Sequence, residues 1–216
     1  MNRTDVLNAL VRAYGLTAYL EIGVRNPRDN YELVRCHDKT GVDPAVSAPG
    51  VERMASDAFF AGLGRRGRGR PRRDFAGAPR RTWGLIFIDG LHQEDQAARD
   101  ISNALRHLAP GGAVVVHDCN PQSEDAAAPQ KPPGGGPWNG TVYRAWLQFR
   151  ASDRMYVYHA VCVDCDHGCG VIRETAGGGP MQIPGGYSWV DLCLHRTEWL
   201  GLVDPARWVA GLPKVL

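Results

Sequence analysis

Lysine is nearly absent from this 216-residue chain. Lys39, Lys131 and Lys214 are the only three, so almost all of its 25 basic side chains are arginines. That skew fits a GC-rich coding sequence and says little about mechanism. Net charge is scarce too, at +2, which argues against a dedicated nucleic-acid binder with its broad basic face. No apolar run approaches the roughly 18 residues of a membrane span. The opening stretch MNRTDVLNALVRAYG is amphipathic and carries an acid, unlike a signal peptide. No membrane contact and a cytoplasmic location are therefore expected, and in that compartment the six cysteines read as free thiols. Internal repeats are missing. So is the G-x-G-x-x-G fingerprint, because Glu21-Ile-Gly23-Val-Arg25 holds a single glycine. A nicotinamide dinucleotide uses those glycines to seat its pyrophosphate. An oxidoreductase of that kind is disfavoured, and a nucleoside cofactor without pyrophosphate fits better.

What is present is an ordinary globular balance, with 44% hydrophobic and 22% charged residues. Thr4-Asp5 is placed to cap a first helix that Gly15 closes. Ala18 to Gly23, Lys39 to Pro44 and Val51 to Ala55 read as strands, and Ser56-Asp57 as the capped start of a helix. Trp83 to Asp89 and Ala113 to Asp118 are continuous apolar runs of the sort buried on both faces at the centre of a parallel sheet. Between them Ala97, Ile101, Ala104, Leu105 and Leu108 recur at helical spacing, and Pro110-Gly-Gly112 marks the stop. A helix is expected from Gly140 to Ala151, then a hairpin of Met155–Val161 and Gly170–Arg173. The pattern is α/β: a Rossmann-like, doubly wound, mostly parallel sheet with an antiparallel C-terminal hairpin strand at its edge. Residues 1–176 form the domain and 177–216 an extension packing on it. Two loops interrupt the domain. Residues 64–81, rich in Arg, Gly and Pro, read as a mobile solvated loop, with a clamp for an anionic substrate as the sharper alternative. Residues 121–138, rich in Pro, Gly and Ala, read as a lid.

Ligands in open α/β sheets bind beyond the carboxyl ends of the strands. There this sequence places Glu21, Gly23, Asp43, Ser56, Asp57, Asp89, His92, His117 and Asp118. Asp43 follows Gly23 by twenty residues, a spacing that suits a carboxylate gripping ribose hydroxyls. Asp89 and Asp118 end adjacent strands, about 4.8 Å apart. Two carboxylates so close repel unless a proton or a cation lies between them. A hard divalent cation such as Mg2+ answers that need, and hydrogen-bonded strand ends without metal are the alternative. His92, three residues beyond Asp89, suits a general base for a hydroxyl. His117, alternating with Asp118, reads as packing into the sheet. Cys162, Cys165, His167 and Cys169 make a C-x2-C-x-H-x-C string. Four ligands inside eight residues would strain a tetrahedral zinc site, and buried thiols at a hairpin turn are the plainer reading.

Tyr19-Leu-Glu-Ile-Gly-Val-Arg25, Gly41-Val-Asp-Pro44, Ser56-Asp-Ala-Phe-Phe60, Ile86-Phe-Ile-Asp-Gly-Leu-His92 and Pro110-Gly-Gly-Ala-Val-Val-Val-His-Asp118 together resemble class I S-adenosylmethionine-dependent methyltransferases. The resemblance is to the small bacterial family of macrocin- and mycinamicin-type O-methyltransferases and cephalosporin-hydroxylase-like proteins, and it covers roughly residues 4–175. It implies that Glu21 and Gly23 line the methionine end of S-adenosylmethionine, that Asp43 holds the ribose, and that Ser56 and Asp57 flank the adenine. Asp89 also belongs to the cofactor-binding and catalytic set. Asp89 and Asp118 would bind Mg2+ and His92 would be the base. The family carries an acid where this chain has His117, which makes the implied metal set Asp89, His117 and Asp118. The function implied is Mg2+-assisted transfer of a methyl group to a hydroxyl of a small-molecule acceptor, a sugar or natural product, by a homo-oligomeric enzyme. A metal-independent N-methyltransferase and a non-catalytic scaffold stay open as alternatives.

Overall fold

The first helix is capped two residues ahead of the expected Thr4. Asn2 accepts from the Asp5 backbone N–H while the Asp5 side chain accepts from the Asn2 backbone, so the two close a capping box around α1 (Arg3–Tyr14). Thr4 and Arg3 are thereby freed to point elsewhere. Gly15 ends the helix in the left-handed conformation at φ 61°. The computed structural model describes residues 1–63, 81–175, 177–184 and 187–214. The Arg-rich loop expected at 64–81 lies outside them except for Arg81.

From α1 the chain runs through β1 (Ala18–Ile22), β2 (Asp38–Val42), β3 (Val51–Glu52), α2 (Ser56–Leu63), β4 (Trp83–Ile88), α3 (Glu94–Arg106) and β5 (Leu108–Val116). Then come α4 (Val142–Arg150), β6 (Tyr158–Val163), β7 (Cys169–Glu174), α5 (Trp189–Leu200), β8 (Leu202–Val203) and α6 (Pro205–Ala210). The strands form one sheet in the order β3-β2-β1-β4-β5-β7-β6-β8. β1 pairs in parallel with β2 on one side and β4 on the other, so the strand order reverses between β1 and β4. That reversal opens a crevice at the carboxyl ends.

The central strands feed two cores because successive side chains point to opposite faces. Leu20, Ile22, Ile86, Ile88, Val114 and Val116 pack beneath α2, α3 and α4, while Tyr19, Leu85, Phe87, Ala113 and Val115 pack against α1. At about 25 cal/mol per Å2 of apolar surface, this two-sided burial is the main stabilising term of the fold.

Three features differ from the sequence reading. Pro110-Gly-Gly112 lies inside β5, because α3 already ends at Arg106 and the strand starts at Leu108. The antiparallel strand is not at the edge: β7 lies between β5 and β6, antiparallel to both. The edge is β8, which pairs in parallel with β6, so the tail contributes a strand to the same sheet. Arg150, 7% exposed, ties the tail in by donating to the carbonyls of Trp199, Glu198 and Ala160. Among the described residues no helix is long and apolar enough to cross a membrane.

Candidate active site

The crevice at the strand reversal is a cleft of about 740 Å3. Glu21, Gly23, Asp43, Ser56, Asp89, His92, His117 and Asp118 all line it, and Asp57 does not. Asp57 instead pairs with Arg99 at 3.3 Å on the outer face, where it is half-exposed. Eight of the nine expected residues thus converge, although they come from five separate stretches of chain.

At the β1 end, Tyr19 and Glu21 share a face of the strand. The Tyr19 hydroxyl donates to Glu21 Oε2 at 2.6 Å and Asn30 Nδ2 donates to the same oxygen at 3.1 Å. Thr4, on the first turn of α1, donates to Asn30 Oδ1 at 2.7 Å and holds that amide in place. Burial pushes the Glu21 carboxyl up to about 7 against the lowering effect of its Tyr19 hydrogen bond. Gly23 follows at φ 88°. A Cβ there would overlap the Asp89 carbonyl and stand 2.6 Å from Gly90 Cα. The glycine is thus required first by the contact between the ends of β1 and β4.

Asp43, at the end of β2, is fixed by the backbone around it. Its Oδ2 accepts from the Arg25 N–H at 2.8 Å, and its Oδ1 from Ala45 at 2.8 Å and Val46 at 3.1 Å. Oδ2, with a single bond, keeps acceptor capacity, whereas Oδ1 already accepts two.

Between β4 and β5 the register pairs Ile88 with Val116, so the residue across from Asp89 is His117. The sequence reading of His117 as packing into the sheet is corrected by this register. Its Nδ1 lies 3.3 Å from Asp89 Oδ1 and 3.3 Å from Asp118 Oδ2. Asp118 is turned back toward the cluster by a left-handed backbone at φ 63°, strain that a non-glycine residue accepts only where its surroundings fix it. Its Oδ1 accepts from Asn139. Arg3 reaches in from α1, with Nη1 3.2 Å from His117 Nε2 and 3.6 Å from Asp89 Oδ2. Asp166, in the β6–β7 turn, lies 3.7 Å from His117 Nε2 and accepts from the Arg3 N–H. Burial works against a charged His117, but the three surrounding carboxylates prevail and hold it protonated well above the ordinary histidine range. For Asp89 burial is likewise outweighed, chiefly by His117, and its pKa falls below the usual carboxylate value. Arg3 also puts a fixed positive charge beside Asp89.

His92 closes the group from above. Its Nδ1 is 2.8 Å from the Trp138 carbonyl, an acceptor only, so Nδ1 carries a hydrogen. The rings of His92 and Trp138 stack at 5.0 Å. Nε2 then faces Asp118 Oδ2 at 3.2 Å and Asp89 Oδ1 at 3.8 Å. Burial lowers its pKa, but the two carboxylates and the Trp138 carbonyl raise it further, and the net direction is up. Among the described residues one group of donors meets the geometry for a metal ion: Asp89, His92 and Asp118, within 4.8 Å of one another. It takes His92 where the sequence reading had His117. The Cys162–Cys169 string does not form such a group, and its cysteines are free.

Residues 20–119 match the family model described as a methyltransferase domain. The matched stretch runs from β1 to the cluster that follows β5. The fold is similar to that of an O-methyltransferase from Bacillus cereus solved in complex with SAH, at 15% identity and a TM-score of 0.51 over 81% of this chain and 80% of that one. It is also similar to the O-methyltransferase TomG from Streptomyces achromogenes, involved in tomaymycin synthesis and solved with SAM, at 16% identity and a TM-score of 0.50 over 81% and 80% of the two chains. Of the residues in this cluster, sequence reasoning missed Arg3, Asn30, Asn139 and Asp166. Arg3, Asn139 and Asp166 lie far along the chain from the residues they touch, and Asn30 sits in the irregular stretch between β1 and β2. Tyr19 was legible, because a residue two positions before Glu21 in a strand must share its face.

Proposed function

We propose that the chain transfers the methyl group of S-adenosylmethionine to a hydroxyl of a small molecule, a sugar or natural product, within residues 1–176. The observation that carries this reading is the composition of one cleft. Glu21 and Asp43 stand at its β1–β2 side, where a nucleoside cofactor lies in this fold, and His92 with Asp89 and Asp118 stands at its β4–β5 side. Asp43 receives the ribose hydroxyls on a carboxylate that three backbone N–H groups hold rigid. Glu21 receives the ammonium of the methionine moiety. Loop 121–138 supplies Trp138 and Lys131 to the rim and covers the acceptor.

The transfer is an in-line displacement. The acceptor oxygen forms a bond to the methyl carbon, the carbon–sulfur bond breaks, and the electron pair stays on sulfur. The sulfonium needs no acid to leave, so most of the rate comes from positioning. His92 takes the hydroxyl proton on Nε2, and the resulting imidazolium faces Asp118 and Asp89. Its raised pKa means that the free base forms only above the ordinary histidine range, so the rise of turnover with pH lies above that range.

A divalent cation is a second reading, favoured by the donor group of Asp89, His92 and Asp118. The fit is good: the Trp138 carbonyl fixes the His92 tautomer in the way that outer partners orient a metal-bound histidine. Bound there, Mg2+ or a softer divalent ion would lower the pKa of the acceptor hydroxyl.

The test is turnover with S-adenosylmethionine and a hydroxylated acceptor, beside calorimetry with S-adenosylhomocysteine. His92→Ala is expected to lower turnover by about 10^2–10^4-fold with cofactor affinity kept; unchanged turnover removes the base role. EDTA that abolishes turnover, with recovery on adding Mg2+ or Mn2+, supports the cation. Turnover indifferent to EDTA assigns the work to the side chains alone. An amine methylated in place of a hydroxyl favours N-methylation, and no binding of S-adenosylhomocysteine leaves only a scaffold.

A further inference from the structure

The cysteine string that forms no metal group brackets a turn on which the Asp89–His117–Asp118 cluster rests. Between β6 and β7 the chain reverses through Asp166 (φ 44°), His167 (φ 64°) and Gly168 (φ 90°), three left-handed residues in succession. Two of them carry side chains, so the turn persists only because its surroundings hold it. The Gly168 N–H donates back to the Cys165 carbonyl at 2.7 Å. The His167 carbonyl accepts from the Asn120 N–H at 2.8 Å and from Asn139 Nδ2 at 3.2 Å, and the Gly168 carbonyl accepts from the Cys119 N–H at 3.1 Å. Asn139 in turn donates to Asp118. Asp166 accepts from the Arg3 N–H at 2.9 Å and lies 3.7 Å from His117 Nε2. The backbone after Asp118, the start of α1 and the His117 ring therefore share one strained support.

Cys165 and Cys169 stand at the two ends of this turn, and their side chains hydrogen-bond to one another. Cys169 is 0% exposed and fixed in β7 opposite Val163, whereas Cys165 lies between the strands and is partly exposed. The bond from Cys169 lowers the Cys165 pKa against the effect of partial burial, and the Cys169 thiol is raised, so the thiol nearer solvent ionises first. Cys119 and Cys162 also adjoin, but both are 0% exposed within the core on the opposite face of the sheet.

We propose that Cys165 and Cys169 form a redox-modification site, which a hydroperoxide closes to a disulfide that draws Asp166 away from His117 and Arg3. The disulfide goes beyond the methyl-transfer reading, and only its effect on turnover rests on that reading. The Cys165 thiolate attacks one peroxide oxygen: an S–O bond forms, the O–O bond breaks, and the second oxygen leaves as hydroxide, which is protonated to water. The Cys169 sulfur then displaces the hydroxyl from Cys165: the S–S bond forms, the S–O bond breaks, and the Cys169 proton leaves with that hydroxyl as water. Two thiols are oxidised and the peroxide is reduced. The bonded sulfurs stand about 2.05 Å apart, well inside hydrogen-bond contact. Because Cys169 is held in the sheet, the movement falls on Cys165 and the strained turn beside it.

The experiment treats the full chain with hydrogen peroxide and then blocks the remaining thiols. Peptide mass spectrometry is expected to show Cys165 joined to Cys169, with Cys119 and Cys162 still reduced, and dithiothreitol is expected to reverse the link. Hydrogen exchange at the Arg3, Cys119 and Asn120 amides, which all donate to the turn, is expected to quicken about tenfold, the value of one hydrogen bond. Turnover is expected to fall about ten- to a hundredfold, the cost of a small misplacement at a reacting centre. Cys165→Ser should resist peroxide, and Cys193→Ser, which removes the exposed thiol, should respond as wild type does. The peptide map and exchange are read on wild type, so they stand even where Cys165→Ser fails to fold. A map in which peroxide oxidises Cys193 alone overturns the proposal, as does a disulfide that leaves exchange at the three amides unchanged. Wild type without turnover before peroxide overturns the methyl-transfer reading, and the map and exchange still decide this one.

Discussion

Glu21 makes a measurable claim about stability. Its carboxyl is 2% exposed, and burial raises its pKa from 4.5 to about 7. The folded state therefore holds a proton that the unfolded chain releases between those values. By linkage, stability falls wherever the folded state binds more protons. The contribution is fully present below pH 4.5, is lost as pH rises toward about 7, and stays lost above it. A rise of that size corresponds to about 3 kcal/mol, an appreciable part of the roughly 5–15 kcal/mol that holds a domain folded. Glu21→Gln removes the titration and keeps the shape, since its amide oxygen accepts from Tyr19 and Asn30 as Oε2 does. Urea unfolding of both proteins, from about pH 5 to about pH 8, isolates the effect. The variant should gain about 3 kcal/mol on wild type across that range. Saturating S-adenosylhomocysteine should flatten the wild-type slope, because its ammonium favours the ionised carboxylate. Parallel profiles for the two proteins without ligand would refute a buried, proton-holding Glu21.

Two other substitutions test the frame of the site. Gly23→Ala places a side chain at φ 88° against the Asp89 carbonyl; left-handed strain of about 1–2 kcal/mol and overpacking of about 1–3 kcal/mol should lower the urea midpoint, and a wild-type midpoint would show that β1 and β4 do not meet as described. Arg150→Met strands the carbonyls of Trp199, Glu198 and Ala160 and should cost about 3 kcal/mol by the same assay; a change below about 0.5 kcal/mol would mean that the tail is not anchored there.

The sequence by itself determined the sheet and the line of polar residues at its rim. Runs such as Trp83–Ile88 and Ala113–Val116 permit only strands covered on both faces, and whatever follows such a run must emerge at the carboxyl edge. Glu21, Asp43, Asp89, His92 and Asp118 were readable for that reason. Register, orientation and long-range partners were decided only by the tertiary structure. A one-residue choice in pairing β4 with β5 puts His117, not Asp118, across from Asp89, and nothing local to either strand sets it. The outward turn of Asp57 and the descent of Arg3 from α1 depend on how helices lie over the sheet. Those contacts join residues up to 163 positions apart, and a pattern read along the chain carries no record of them.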